Sequence, residues 1–219
     1  MHLVYINPNA TQAMTDSVVA VAKTAVPQAK ITGLTNTDGP AAIEGPTDGE
    51  KAVPGVLNLV NKAQTMGADI IVIACFDDTA LPQARAIATC PVLGIGQSAF
   101  TVASLIGGQF GIVTSVAQAV PVIKANLVAS GFNDTCACVR ASGLAVLDIE
   151  DGGEDMLEHL SGAIRDAKHD TNCRTIILGC AGMAMHHRTL STRTDVVLVD
   201  GVAASAHLAV AAARVATQV

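Results

Sequence analysis

The chain has 219 residues, enough for one large core or two of about 100 residues each. Half of its residues are hydrophobic, 15% are charged and only 2% aromatic, which excludes intrinsic disorder and requires a core of Ala, Val, Ile and Leu. With 13 basic and 19 acidic residues the net charge is -6, and no long run of one sign occurs, so neither a nucleic-acid stripe nor a polybasic membrane anchor fits. No apolar run reaches the ~20 nearly uncharged residues of a membrane span, and the start Met1-His2-Leu3-Val4 lacks the basic head of a secretory signal. Six cysteines are too sparse for a disulfide scaffold. Reduced thiols and a cytoplasmic location are expected.

In chain order, the pattern predicts a strand at Leu3–Ile6, a helix near Gln12–Val26 and a strand at Ile31–Leu34. The segment Asn36–Lys51 has no period and is rich in Gly and Pro, which predicts a loop able to cover a cleft. A helix near Gly49–Met66, a strand at Ile70–Ala74, a helix at Leu81–Ala88 and a strand at Val92–Ile95 follow. Next come a helix at Ser98–Ile106, a strand at Phe110–Thr114, a helix at Ala117–Ala129 and a strand at Thr135–Arg140. The remainder predicts a helix at Gly153–Ala167, strands at Thr175–Gly179 and Val196–Val199, and a helix at Val202–Thr217. Several strands are apolar on both faces, as parallel strands covered by helices are. The alternation predicts an α/β fold with mostly parallel sheets flanked by helices.

An internal repeat refines this. Ile70-Ile71-Val72-Ile73-Ala74-Cys75 matches Thr175-Ile176-Ile177-Leu178-Gly179-Cys180, and the interval between the two cysteines equals that between Gly96 and Gly201. Asn7 and Thr114 stand nearly the same interval apart. Two pseudo-symmetric halves are expected, a first lobe of residues 1–97 plus 201–219 and a second of 98–200. The active site is expected in the cleft between them, at the carboxyl ends of the strands.

Each half would then deliver one cysteine to that cleft. At the junction of a buried strand and a following helix, backbone N–H groups and the helix dipole favour thiolate. Two thiols on opposite faces of one carbon can invert it, one abstracting a proton and the other donating. If the carbanion is conjugated to a carbonyl held by N–H donors, no metal or organic cofactor is needed. The rival reading packs both cysteines as small hydrophobes in a ligand-binding α/β module. Asn7, Asn9, Thr114 and Ser115 supply amide and hydroxyl groups suited to a carbonyl or imide. Phe76 and Ile43 offer an apolar wall, and Gly182 lets backbone approach a ligand. Asp77 or Asp78 is expected to cap the helix that follows, and a carboxylate close to Cys75 would raise its pKa.

Other signals are set aside. Gly94-x-Gly96-x-x-Ala99 matches a dinucleotide fingerprint in letters, but no acidic residue occurs between Asp78 and Asp134 to hold a ribose. Adjacent His186 and His187 would point about 100° apart on a helix, a poor arrangement for one metal ion. Cys136-x-Cys138 is expected to put two thiols on one strand face, without the second ligand pair of a zinc site.

At these residues the sequence resembles the hydantoin racemase family, allantoin racemase included, of the aspartate/glutamate racemase superfamily. The pieces are Ile6-Asn7-Pro8-Asn9-Ala10-Thr11 with Met14-Thr15, Gly39-Pro40-Ala41-Ala42-Ile43-Glu44-Gly45, Ala74-Cys75-Phe76-Asp77-Asp78-Thr79-Ala80-Leu81, Gly111-Ile112-Val113-Thr114, Leu178-Gly179-Cys180-Ala181-Gly182-Met183 and Asp200-Gly201-Val202. The resemblance implies cofactor-independent inversion by Cys75 and Cys180. It also implies that backbone donors just after each cysteine, at Phe76, Asp77, Ala181 and Gly182, hold the substrate carbonyls. The substrate would be a hydantoin-like cyclic ureide, with no nucleic acid or membrane partner. An amino-acid racemase, for which Arg85 or Arg188 would have to bind a carboxylate, and a malonate-type decarboxylase are the alternatives. Paired α/β halves expose helices that often associate, so a homo-oligomer is expected.

Overall fold

The computed structural model describes residues 1–216. Two parallel sheets of four strands each carry the same strand order. In the first, β1 (His2–Asn7) lies between β2 (Lys30–Thr35) and β3 (Ile70–Ile73), and β4 (Val92–Gly94) lies outside β3. In the second, β5 (Phe110–Thr114) lies between β6 (Cys136–Ala141) and β7 (Thr175–Gly179), with β8 (Val197–Asp200) outside β7. The helices are α1 (Gln12–Ala25), α2 (Pro46–Thr65), α3 (Leu81–Ile87), α4 (Ile95–Ile106) and α5 (Val120–Ala129). After them come α6 (Val146–Asp151), α7 (Glu154–Thr171), α8 (His187–Arg193) and α9 (Gly201–Ala216).

The central strands β1, β3, β5 and β7 are buried at every position, and their alternating side chains sort into separate cores. On β1, Leu3 and Tyr5 face α1 and α9, while Val4 and Ile6 face α2 and α3. On β5, Ile112 packs with α4 and α5, and Val113 with α7 and α8. The chain crosses over at both seams: α4 packs with the second sheet and α9 returns to the first. Phe100 of α4 gathers the three other phenylalanines, with ring centroids 5.7 Å from Phe76, 6.4 Å from Phe110 and 6.1 Å from Phe132.

Several boundaries differ from the sequence pattern, each for a local reason. α2 begins at Pro46 rather than after the expected loop, because Pro46 is preset for the first turn and Asp48 follows in it. β4 runs straight into α4, so the helix starts before Ser98. The short helices α6 and α8 lack the length to show a period. A bulge in β6 pairs Phe110 with Cys136 and Gly111 with Cys138, so Ala137 is skipped. Cys136 and Cys138 therefore do not share a face: Cys136 packs with Phe110 and Ile123, Cys138 with Leu160 and Ile164. The helix expected to end at Thr217 is described to Ala216, and Thr217 lies outside the described residues.

Candidate active site

In each sheet the strand order reverses beside the first strand, between β1 and β3 and between β5 and β7. Such switch points open a crevice at the carboxyl ends of the strands. Asn7 ends β1, Cys75 lies just past β3, Thr114 ends β5 and Cys180 follows β7. The two crevices face each other and form one cavity. Its walls include Cys75, Phe76 and Asp77 from one lobe and Thr114, Ser115, Cys180 and Ala181 from the other, with Asn9, Met14, Ile43 and Val146 at the sides. The free space inside is only about 30 Å³. Cys75 is partly buried and Cys180 is buried, and neither is bonded to another cysteine.

Two tight packings hold the thiol-bearing loops. Asp78 adopts a positive φ of 50° and turns its carboxylate onto the start of α4, accepting from the Gly96 amide at 2.9 Å and the Gln97 amide at 2.7 Å. The expected cap is real, but it serves α4 and not the adjacent α3. This explains the two glycines: a Cβ on Gly94 would lie 2.1 Å from Asp78 Oδ1, and one on Gly96 2.3 Å from the Phe76 carbonyl. On the other lobe, the Thr114 hydroxyl donates to the Gly179 carbonyl at 2.8 Å. Asn7 is fully engaged within its own loop, its amide nitrogen on Asn9 Oδ1 at 2.8 Å and Thr15 Oγ1 at 3.1 Å, and it stands behind the cavity wall. Gly182 also stands just outside the wall. Ile43 and Phe76 are both in it, although Phe76 is at the same time pinned edge-on against Phe100.

Residues 3–209 match the model of the family described as Asp/Glu/Hydantoin racemase. The chain belongs to that family. It is a racemase, an enzyme of the isomerase class. A hydantoin racemase from Rhizobium meliloti is 37% identical over 210 residues, covering 95% of this chain and 87% of that one. A hydantoin racemase from a Pseudomonas species (strain NS671) is 33% identical, covering 95% and 84%. Among solved structures, the allantoin racemase from Klebsiella pneumoniae superposes with a TM-score of 0.94 at 31% identity, covering 99% of this chain and 89% of that one.

The electrostatics of this racemase depart from expectation in one respect. Both thiols are held as thiols: burial pushes Cys75 well up and Cys180 up to about 12. The Asp77 carboxylate is the next largest cause at Cys75, and it also opposes ionisation of Cys180. Backbone donors are present as foreseen, from Gly182 and Met183 on Cys180 and from Asp77 on Cys75, whereas the nearby Thr79 hydroxyl is buried without a partner. In the narrow cavity they do not outweigh lost hydration. Asp77 itself is pushed up to about 7 by burial. Behind Cys180 sits Glu150, with Oε1 accepting from Ser17 Oγ at 2.5 Å and Oε2 buried without a partner.

Among the described residues no Lys or Arg lines the cavity. Arg85 is spent on the Val92 carbonyl at 3.0 Å and Gln97 Oε1 at 2.6 Å, and Arg188 lines a separate groove between α1, α8 and α9. His186 and His187 each hold a main-chain carbonyl, of Ile149 at 2.9 Å and of Leu198 at 3.1 Å. Among the described residues no helix is long and apolar enough to cross a membrane. Ala119 and Val146 are the wall residues that the sequence did not single out, whereas Met14 belongs to the Met14-Thr15 piece of the family resemblance. Ala119 ends the short 3-10 turn Ala117–Ala119, and Val146 opens the unforeseen α6.

Proposed function

We propose that the enzyme inverts the C5 stereocentre of 5-substituted hydantoins, allantoin included, with Cys75 and Cys180 as the paired acid and base. The observation that carries this reading is that the two equivalent strand ends of the two lobes put a thiol each into one cavity. A planar enolate between them meets a proton source on either face. One thiolate removes the C5 proton while the opposite thiol delivers its own to the other face, and the pair ends with the charge exchanged. Burial holds both thiols neutral at rest, and the amides beyond each cysteine act on the enolate charge as it develops on the substrate carbonyls. The Ser115 hydroxyl and the Asn9 side-chain N–H, with the amides of Phe76, Asp77, Ala181 and Gly182, are assigned to the ureide carbonyls. The Asp77 carboxylate and the Thr114 hydroxyl oxygen accept from its ring N–H groups, Asn7 orders the Asn9 loop, and Ile43 faces the ring. This route uses no metal or organic cofactor.

A neutral ring also suits the charge of the cavity. With a carboxylate in the wall and no cation, an amino acid or a malonate would enter against Asp77 without a counter-ion. Chiral chromatography of one pure hydantoin enantiomer, run in deuterated water, tests the proposal. Racemisation with deuterium at C5 is expected. An unchanged enantiomer, beside an active panel of free amino acids, would overturn it. Assembly into a homo-oligomer belongs to the same proposal, and light scattering on the eluted protein reads it directly.

A further inference from the structure

The cavity is too small for the substrate that its walls suit. Its free space of about 30 Å³ holds roughly two waters, and a five-membered ureide ring with its substituent needs several times that. Something must move, and most of the boundary cannot. Phe76, next to Cys75, is plugged into the aromatic core of the opposite lobe around Phe100. The starts of α4 and α9 are in backbone contact, since a Cβ on Gly201 would lie 2.4 Å from the Ile95 carbonyl. Parting the lobes as rigid bodies would tear both seams.

The remaining side is closed by residues 42–45. This short segment leaves Ala41, whose carbonyl is tied to the first lobe by the Thr11 hydroxyl at 2.7 Å, and crosses to the second lobe. There Ala42 packs against the second core, Glu44 Oε1 accepts from the Val146 amide at 2.8 Å, and Gly45 rests on Gln118. Ile43, between them, is buried and forms part of the cavity wall, as does Val146. Toward the second lobe this segment is thus held by one charge-assisted hydrogen bond and a few apolar contacts, while its Glu44 amide and Gly45 carbonyl stay with α2, on Asp48 at 3.3 Å and the Gly49 amide at 3.1 Å.

We propose that residues 42–45 are a strap that releases to admit substrate, and that the Glu44 carboxylate on the Val146 amide is its latch. The inference rests on the reading of this cavity as the substrate site, but its test does not require any substrate. Iodoacetamide, a neutral probe, reaches Cys75 and Cys180 only when the strap is off, and peptide mass spectrometry reports each site. Glu44→Ala weakens the latch and should speed alkylation of both cysteines by about three- to tenfold, the worth of one such bond. The converse variant closes it. A Cβ on Gly45 would sit 3.2 Å from Gln118 Cβ, about 0.6 Å inside the mean separation in a disulfide and about 0.3 Å inside its usual lower bound.

Gly45→Cys with Gln118→Cys, oxidised beside wild type under the same conditions, should protect both cysteines and stop turnover, and dithiothreitol should restore both. Equal alkylation rates in wild type, Glu44→Ala and the oxidised double variant would overturn the strap. If the double variant does not fold, Glu44→Ala alone decides the matter, with its thermal midpoint showing that the fold is intact. Failure of hydantoin inversion with latch-dependent alkylation would remove the substrate reading and leave the strap standing.

Discussion

Two loops leave equivalent strand ends with the same side chain, and from there they diverge. After β3 the chain makes a strained turn, with positive φ at Asp78 and Ala80, and carries two buried carboxylates beside Cys75. After β7 it continues into two turns of 3-10 helix, Ala181–His186, and surrounds Cys180 with main-chain N–H groups. The cap shows the same divergence. Asp200 caps α9 from its own strand end, on the Ala203 amide at 2.7 Å, whereas α4 borrows Asp78 from the loop of the neighbouring strand. Duplicated topology has thus kept the position of the thiol and changed its electrostatics, which gives the two faces of one substrate carbon unequal chemistry.

The sharpest break in that comparison is removal of either sulfur. Cys75→Ser and Cys180→Ser should each lower the racemisation rate by about 10³-fold or more. Each variant is expected to retain deuterium exchange with one enantiomer only, opposite for the two, as followed by NMR. Exchange of both enantiomers by one variant would mean that the two loops are not divided by face. Next in size is Asp78→Ala. It strands two amides of α4 and frees the Cys75 loop, so a loss of about 2–3 kcal/mol in denaturant unfolding is expected. No cap crosses over on the Cys180 side, so Ala203 and its neighbours should keep their hydrogen-exchange protection in that variant.

A smaller effect sharpens the electrostatic contrast. The Asp77 carboxyl titrates in the folded chain at about 7, above its unfolded value. Its contribution to stability is therefore intact below about pH 4 and is lost as the pH rises through 7. Asp77→Asn removes that loss, so it should gain on the order of 1 kcal/mol at pH 8 and nothing at pH 4. The same variant should make Cys75 easier to ionise, with Cys180 following less, as alkylation against pH would show.

Much of this is legible in the amino-acid order because it is local. The apolar strands, the repeat and the placement of both cysteines at strand ends all follow from short-range pattern, and they lead to the doubled sheet order and the shared cavity. What is not legible depends on distant contacts. The start of α4 is set by a carboxylate on the far side of β4, the phase of Cys138 by a bulge, and the fate of Arg85 by Gln97 and Val92. The ionisation of the thiols fails for a related reason: a helix start argues for thiolate, but only the narrow cavity reveals how much hydration the sulfurs lose.

The return of α9 to the first sheet has a consequence for biogenesis. Tyr5 on β1 is sealed by this helix, its hydroxyl 3.1 Å from Ser205 Oγ. The sheet that is synthesised first thus waits, with one hydrophobic flank uncovered, until the whole of its counterpart has been made. The later-made sheet, whose strands and covering helices are contiguous, is free to condense earlier and to serve as the surface on which its predecessor is completed.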